Sequence, residues 1–218
     1  QDAAADDTAA NEAVRAGVEA WSRGDYWAAV EHWRAPAIAG NADAQFNLGQ
    51  AYKLGRGVST DLVQAEEWFR RAAIQGHAQG EDNYGLILFQ NGRRQEALPW
   101  LERSANRGEP RAQYVLGTMY FNGDVVQRDW VRAYALTVRS SQSGLTQANQ
   151  GLAQMDQYIS LADRQAGLTL ARQMEERASR PPLIGEFSGP IVSADTRPST
   201  TPTPIGAPPP MRPPPPPP

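Results

Sequence analysis

The sequence contains no cysteine, and Lys53 is its only lysine among 21 basic residues. The lack of cysteine excludes a disulfide framework and thiolate metal ligands. No apolar run approaches the ~20 residues that a membrane-spanning helix needs. The formal net charge is −3 without a basic block, so the charge pattern of a nucleic-acid-binding protein is missing. The sequence therefore predicts neither a nucleic-acid partner nor a transmembrane segment.

Groups of residues typical of catalysis are also missing. The two histidines, His32 and His77, have no partner at metal-ligand spacing. The side chains of Glu66 and Glu67 would diverge on a helix, because residues adjacent in sequence do not share a helix face. The serines of segment 140–143 have no base nearby and no nucleophile motif. We therefore predict a non-enzymatic protein without metal or cofactor.

A repeat is the main positive signal. Glycines recur with spacings of 36, 32 and 36 residues, at Gly40, Gly76, Gly108 and Gly144. Nine residues after each of them comes another small residue: Gly49, Gly85, Gly117 and Ala153. A fixed period of this size is typical of arrays whose units bury their apolar faces by stacking on one another. Each segment after a repeat glycine predicts an amphipathic helix, helix A, with a close contact at its small residue.

A second helix, helix B, follows in each unit. Its alanines are in register, with a residue suited to filling the adjacent gap four positions later: Ala29 and Trp33, Ala65 and Phe69, Ala97 and Leu101, Ala133 and Thr137. A spacing of four places both side chains on one helical face. The longer units carry a loop between A and B, and Asp61 and Asp129 at the loop ends are predicted N-caps.

One unit carries a nearly complete known motif. Its residues are Ala44, Gln45, Leu48, Gly49, Tyr52, Gly55, Gly57, Val58, Asp61, Ala65, Trp68, Ala72, Ala73 and Gly76. This pattern resembles a Sel1-like repeat, the longer-looped relative of the tetratricopeptide repeat. The unit from Ala112 to Gly144 matches it less fully, and units 11–40 and 76–108 read as tetratricopeptide-like. The resemblance implies a bacterial, all-α, right-handed α-solenoid of about five helix-turn-helix units, acting as a scaffold.

The chain divides into three predicted regions. We expect a disordered stretch over 1–9, a repeat domain over 10–179 and a proline-rich, disordered tail over 180–218. The repeat units span 10–40, 41–76, 77–108, 109–144 and 145–179, the last ending in a capping helix that opens with Ser160 and Asp163. Fifteen of the 18 prolines lie from Pro181 onward, which predicts an extended polyproline II tail. The tail is interpreted as a spacer or as a ligand for proline-reading domains.

The resemblance also implies a concave groove lined by helix A. Matching residues give a protein- or peptide-binding set: Val18, Trp21, Phe46, Gln50, Lys53, Asp82, Leu86, Phe89, Tyr114, Thr118, Phe121, Gln150, Gln154 and Gln157. Such a groove would offer aromatic area and amide groups able to pair with an extended peptide. The alternative is that the aromatic residues only pack between neighbouring helices.

The predicted function is a non-catalytic scaffold that binds a protein or peptide partner in a bacterial cell-envelope assembly. A cell-envelope enzyme or a protein that binds peptidoglycan or β-lactams is one alternative, and a self-associating structural protein is another. The start at Gln1 is consistent with an exported, periplasmic protein after signal-peptide removal, with a cytoplasmic location as the alternative. We expect the native chain to continue beyond Pro218 or its tail to extend toward the cell wall.

Overall fold

The computed structural model describes residues 2–179 and Met211. Over these residues it contains ten helices and no strand, which confirms the predicted all-α class. In chain order the helices are α1 (Asp2–Ser22), α2 (Tyr26–Ile38), α3 (Ala42–Leu54), α4 (Leu62–Ile74), α5 (Ala78–Gln90), α6 (Arg94–Asn106), α7 (Pro110–Asn122), α8 (Trp130–Gln142), α9 (Thr146–Met155) and α10 (Leu161–Ser179). The predicted tail, apart from Met211, lies outside the described residues.

The chain forms two compact units, Gln1–Ser104 and Ala105–Pro218. In the first unit each helix from α1 to α4 packs against the next one along the chain. In the second unit α7, α9 and α10 all pack against α8. The α8 helix is therefore the centre of the second unit.

Local side-chain bonds define where several helices begin. Asp61 accepts from the backbone N–H groups of Val63 and Gln64, both at 3.0 Å. Asp129 accepts from the N–H of Arg132 at 2.9 Å. These bonds satisfy donors that the first helical turn leaves unpaired, so both predicted N-caps are confirmed.

The capping helix begins as the sequence predicts. The hydroxyl of Ser160 donates to Asp163 Oδ2 at 3.0 Å and accepts from the Asp163 N–H at 3.1 Å. The Ser160 hydroxyl thus caps the helix as predicted, but Asp163 accepts from that hydroxyl and not from the Ser160 backbone N–H, so only half of a capping box is formed.

The small residues of helix A lie where the partner helix approaches. A Cβ built on Gly49 would lie 2.6 Å from Phe69 Cε1, and one on Gly117 would lie 2.7 Å from Thr137 Oγ1. The paired helix B residues are at most 2% exposed, so the predicted A–B interface is confirmed. The last unit differs, because Ala153 is exposed.

In the second unit Gly167 of α10 makes a comparable close contact. A Cβ on Gly167 would lie 2.9 Å from Tyr134 Cβ and 3.1 Å from the carbonyl oxygen of Val131. The capping helix thus approaches α8 through a glycine that is not in the repeat register.

The N-terminal stretch also differs from its prediction, since α1 begins at Asp2 within the segment 1–9. Alanine has the highest helix propensity of all residues. The alanine-rich composition is therefore also compatible with about two additional helical turns over residues 2–9.

Candidate peptide-binding surface

A cluster of aromatic rings and a guanidinium lies at the C-terminal end of α1. Trp21 is half-buried, and its ring centroid is 4.8 Å from that of Tyr26 and 5.4 Å from that of Trp33. The guanidinium carbon of Arg56 lies 5.1 Å from the Tyr26 centroid and 5.9 Å from the Trp21 centroid. Cations are attracted to aromatic faces at these distances. The cluster presents indole, phenol and cationic groups together.

The α3–α4 loop carries Arg56 to this cluster. Gly57 has a φ of 75°, and a Cβ built on it would lie 2.1 Å from the carbonyl oxygen of Tyr26. Only glycine allows both this left-handed conformation and so close an approach. The loop is therefore seated against the first turn of α2, which holds Arg56 over the rings.

Phe46 lies half-buried on α3, beside a histidine whose role is structural. The ring of His77 stacks on Phe46 with centroids 4.9 Å apart. The Nδ1 atom of His77 accepts from the N–H of Gly80 at 2.9 Å, and its Nε2 atom lies 3.1 Å from Asp43 Oδ1. The hydrogen bond from His77 lowers the pKa of Asp43. Both ring nitrogens are thus engaged in capping α5 and in linking it to α3.

A polar row continues from Phe46 along α3. Gln50 and Lys53 follow at spacings of four and three, so the three side chains share one helical face. The ammonium of Lys53 donates to Asn83 Oδ1 on α5 at 3.0 Å. Asp82, the residue before Asn83, is half-buried.

These residues define a candidate surface. We use the name first-unit surface for six residues that are at least partly accessible: Trp21, Phe46, Gln50, Lys53, Arg56 and Asp82. Val18 lies one helical turn before Trp21 and is exposed. The structure thus leaves these predicted helix A residues of the first unit partly accessible, and Arg56 joins them from the loop.

The two other residues of the set in the first unit lie in the core. Leu86 is 5% exposed and Phe89 is 6% exposed. The guanidinium of Arg94 lies 5.6 Å from the Phe89 ring centroid. Neither side chain offers substantial surface to a partner, as the packing interpretation expects.

In the second unit the predicted residues on α7 are also buried, because α7 is buried from Ala112 to Asn122. The Thr118 hydroxyl donates to the carbonyl oxygen of Tyr114 at 3.0 Å. Phe121 contacts the rings of Trp130 and Tyr158, with both centroid distances 6.1 Å. Burial raises the pKa of the Tyr114 hydroxyl.

The three predicted glutamines, Gln150, Gln154 and Gln157, are exposed. Gln150 and Gln154 lie one turn apart on α9, whereas Gln157 lies beyond the end of that helix at Met155. Exposed amide groups on α9 can donate to and accept from a peptide backbone.

Three residues that take part in these contacts were not identified from the sequence. Arg56 and Tyr26 belong to the aromatic cluster, and Met211 contacts the second unit next to Gly151. The loop glycines on either side of Arg56 were the only local signal, because they indicate a constrained backbone there. Nothing in the sequence near Met211 specifies its contact, which joins residues 60 positions apart.

The described part of the chain contains no group of three or more histidine or acidic side chains suited to a metal ion. In the same residues no helix is both long enough and apolar enough to cross a membrane. The side chains of the first-unit surface offer apolar contact, hydrogen bonding and charge pairing.

Comparison with known protein families agrees with the paired helices that the structure shows. The model of the Sel1 repeat matches residues 42–77, 82–109 and 110–145. The chain carries three Sel1 repeats. The second match falls in the unit that lacks the long loop, so the tetratricopeptide-like unit of the sequence interpretation is a shortened Sel1 repeat.

Two curated relatives of this Sel1-repeat chain have regulatory names. Chitin synthase regulatory factor 3 of Schizosaccharomyces pombe is 32% identical over 133 residues, covering 56% of this chain and 14% of that protein. The exopolysaccharide production negative regulator of Rhizobium meliloti is 30% identical over 80 residues, covering 37% of this chain and 30% of that protein. The chain thus spans less than a third of the length of either relative.

Solved structures of Sel1-repeat proteins support the fold. A Sel1 repeat protein from Oxalobacter formigenes has 31% sequence identity and a TM-score of 0.52, covering 69% of this chain and 64% of its own. A protective antigen of uropathogenic Escherichia coli with an SLR fold has 23% identity and a TM-score of 0.54, covering 80% of this chain and 47% of its own. The predicted Sel1-like solenoid class is confirmed.

Proposed function

We propose that this chain is a non-catalytic adaptor whose first unit binds an extended segment of a protein partner. The carrying observation is the first-unit surface, where aromatic, amide and cationic groups remain accessible on a helical scaffold. Phe46, Gln50 and Lys53 share one face of α3, and Arg56 is held over Trp21 by the adjacent loop. Rigid helices reduce the entropy cost of presenting such groups to a ligand.

The chemistry of this surface favours a particular kind of peptide. Trp21 and Phe46 supply apolar area, and the Gln50 amide can both donate to and accept from an extended backbone. Lys53 and Arg56 are cations three residues apart that favour carboxylate groups. We therefore expect the partner segment to carry an aromatic or aliphatic anchor near an acidic residue.

The relatives support a regulatory setting. One is named a chitin synthase regulatory factor and another a negative regulator of exopolysaccharide production, although this chain covers only a minor part of each. We extend the proposal to a bacterial cell-envelope assembly in which the chain links a regulated protein to other components. A periplasmic location belongs to this proposal.

The test compares two tryptophans of the same unit. Trp21 belongs to the first-unit surface, whereas Trp27 on α2 is 68% exposed and lies outside it. Full-chain protein with Trp21→Ala, Trp27→Ala or Lys53→Glu would be immobilised and exposed to envelope extracts. Recovered proteins would be identified by mass spectrometry, then titrated as purified partners.

We expect Trp21→Ala and Lys53→Glu each to weaken binding of the recovered partner at least tenfold, and Trp27→Ala to leave it unchanged. Because Trp21 also packs on Trp33, circular dichroism and a thermal melt would confirm that this variant is folded. Equal partner affinity of folded wild-type, Trp21→Ala and Lys53→Glu proteins would overturn the proposal.

A second candidate is self-association through helix B. Apolar residues are exposed on α2 and α4 at positions 36 residues apart, with Trp27 matching Val63 and Ile38 matching Ile74. Exposed apolar area in a repeated register favours association. Sedimentation over a concentration range should show that the wild type forms an oligomer. The double variant Trp27→Ser, Val63→Ser should be monomeric. A wild-type protein that stays monomeric at all concentrations would exclude self-association.

A further inference from the structure

The second unit contains a contact between its helices and a residue far along the chain. A Cβ built on Gly151 would lie 3.2 Å from Met211 Cε, 2.7 Å from Tyr114 Cε2 and 3.4 Å from Thr137 Cγ2. The methionine methyl group therefore lies over the bare backbone of Gly151, beside an aromatic ring and a threonine methyl. Met211 itself is half-buried.

The helices provide a preformed apolar site for this methyl group. Tyr114 is 7% exposed, Thr137 is fully buried and Gly151 is buried. The Thr137 hydroxyl donates to the carbonyl oxygen of Ala133 at 2.8 Å, which leaves its methyl group as the contact surface. Methionine suits such a site, because its thioether is flexible and interacts favourably with aromatic rings.

The space above Gly151 is specific to the last repeat. Seven residues after the repeat glycines stand Asn47, Asn83 and Val115 in the earlier units and Gly151 in the last. A side chain at position 151 would overlap the Tyr114 ring and press on the methionine. The missing side chain is therefore what leaves room for the methionine methyl group.

The sequence around Met211 matches the site. Met211 is the only large apolar residue after Ile205, with three prolines before it and Arg212 and six prolines after it. Prolines restrict a free segment to extended conformations, so ordering it on a surface costs little entropy. Gln150 and Gln154 are exposed on the same helix as Gly151 and offer amide groups to the carbonyl groups of such a segment.

We propose that the second unit has a methionine-binding pocket formed by Gly151, Tyr114 and Thr137, and that its occupant is this chain's own Met211 segment. This inference rests on the proposed binding function in one respect: the predicted groove residues Tyr114, Gln150 and Gln154 bind a peptide segment, and that segment belongs to the same chain. Pocket and ligand are on one chain, so binding is intramolecular, and tethered groups reach effective concentrations on the order of millimolar. A partner peptide that uses this pocket must displace Met211.

The test observes the methyl group directly in the full chain. Labelling with [methyl-13C]methionine gives four signals, from Met119, Met155, Met174 and Met211. Met211→Ala assigns the signal of interest, and Met174→Ala on α10 is the matched control. We expect the Met211 methyl signal to be shifted upfield by the Tyr114 ring and to show a nuclear Overhauser effect to that ring.

A second measurement supplies the ligand in trans. The peptide PPPMRPPPPPP would be titrated into the full-length Met211→Ala protein, with PPPARPPPPPP as control. We expect the methionine peptide to shift the Gly151 amide signal and to bind about tenfold more tightly than the alanine peptide. Met211→Ala should also bind the methionine peptide more tightly than the wild type does, because its pocket is empty.

The outcomes separate this inference from the proposed function. The pocket would be overturned if the wild-type Met211 methyl group has the chemical shift of the free peptide and shows no nuclear Overhauser effect to Tyr114. This holds even if the first unit captures a protein partner. A shifted methyl signal together with methionine-selective peptide binding would support the pocket even if no partner is recovered. Equal binding of the two peptides would contradict its selectivity.

Discussion

The two long loops, one after α3 and one after α7, follow the same backbone path with different residues. In the first loop, the N–H of Asp61 donates to the carbonyl oxygen of Tyr52 at 3.0 Å. In the second loop, Asp129 and Tyr120 form the same bond at the same distance. Both loops also place their third residue in the left-handed region.

That third residue differs between the loops, and the difference separates the constraint of close backbone approach from the constraint of a left-handed φ angle. It is Gly57 with φ 75° in the first loop and Val125 with φ 66° in the second. Gly57 lies against the Tyr26 carbonyl oxygen, whereas the Val125 side chain is 42% exposed. Close backbone approach thus requires glycine at position 57, while position 125 is constrained by its φ angle alone. The same position of the motif therefore packs the loop against α2 in the first repeat, whereas in the other repeat it only reverses the direction of the chain.

We expect the largest effect when the valine of the second loop replaces the glycine of the first loop. Gly57→Val would put a branched side chain against the Tyr26 carbonyl oxygen in a left-handed conformation. We expect a loss of about 3 kcal/mol or more in the free energy of unfolding, from the steric overlap and the strained φ together. Urea denaturation followed by the fluorescence of the first unit's tryptophans would measure it. A loss below about 1 kcal/mol would show that the loop can leave α2 freely.

The second prediction concerns the loop ends, where the two repeats are alike. Asp61→Ala removes two hydrogen bonds to the first turn of α4, and Asp129→Ala removes one to the first turn of α8. We expect losses of about 1 kcal/mol each, with the Asp61 variant the more destabilised. Asp61→Asn and Asp129→Asn are the matched controls, since asparagine also caps helices. If alanine and asparagine variants were equally unstable, capping would not be the cause.

The third prediction reverses the first. Val125→Gly removes a β-branched residue from the left-handed region, and the exposed side chain has few contacts to lose. We expect a gain of about 0.5 kcal/mol, because relief of strain exceeds the added entropy of the unfolded chain. Val126→Gly, at the next and half-buried position, should instead destabilise. Thermal melts of both variants would decide, and a loss at Val125→Gly would mean that this φ angle carries little strain.

The smallest effect concerns charge on the helix after the first loop. Arg70 and Arg71 donate to Glu67 and lower its pKa to about 2, whereas the matching residue of α8 is Ala135. Because the folded pKa lies below the unfolded value of about 4.3, this stabilisation is present above pH 4.3 and is lost as the pH falls through 2. The carboxylate is partly exposed, so we expect Glu67→Gln to cost less than about 1 kcal/mol at pH 7.

This last effect would be measured as a difference between variants. Urea denaturation of the wild type and of Glu67→Gln should give stabilities that converge between pH 4.5 and pH 2. Glu176→Gln on α10, an exposed glutamate, controls for the change in net charge. A constant difference between wild type and Glu67→Gln across this range would exclude the ion pairs as its source.

Much of the fold followed from short-range signals in the sequence. The caps Asp61, Asp129 and Ser160 and the contact between Gly49 and Phe69 were all predicted, since each depends on residues within one repeat. The candidate site was predicted less completely. The resemblance to a known repeat family identified the helix A positions, yet it did not show that Leu86 and Phe89 are buried while Phe46 and Gln50 stay accessible.

The sequence by itself determined the repeat period, the pairing of A and B helices and the starts of several helices. These depend on backbone conformation and on contacts within about 30 residues. Tertiary structure decided that Arg56 lies over the Trp21 ring, that Gly167 of α10 and not Ala153 of α9 makes the close contact in the last repeat, and that Met211 lies over Gly151. The physical reason is that burial and contact depend on which surfaces meet in three dimensions, and a local pattern does not specify this.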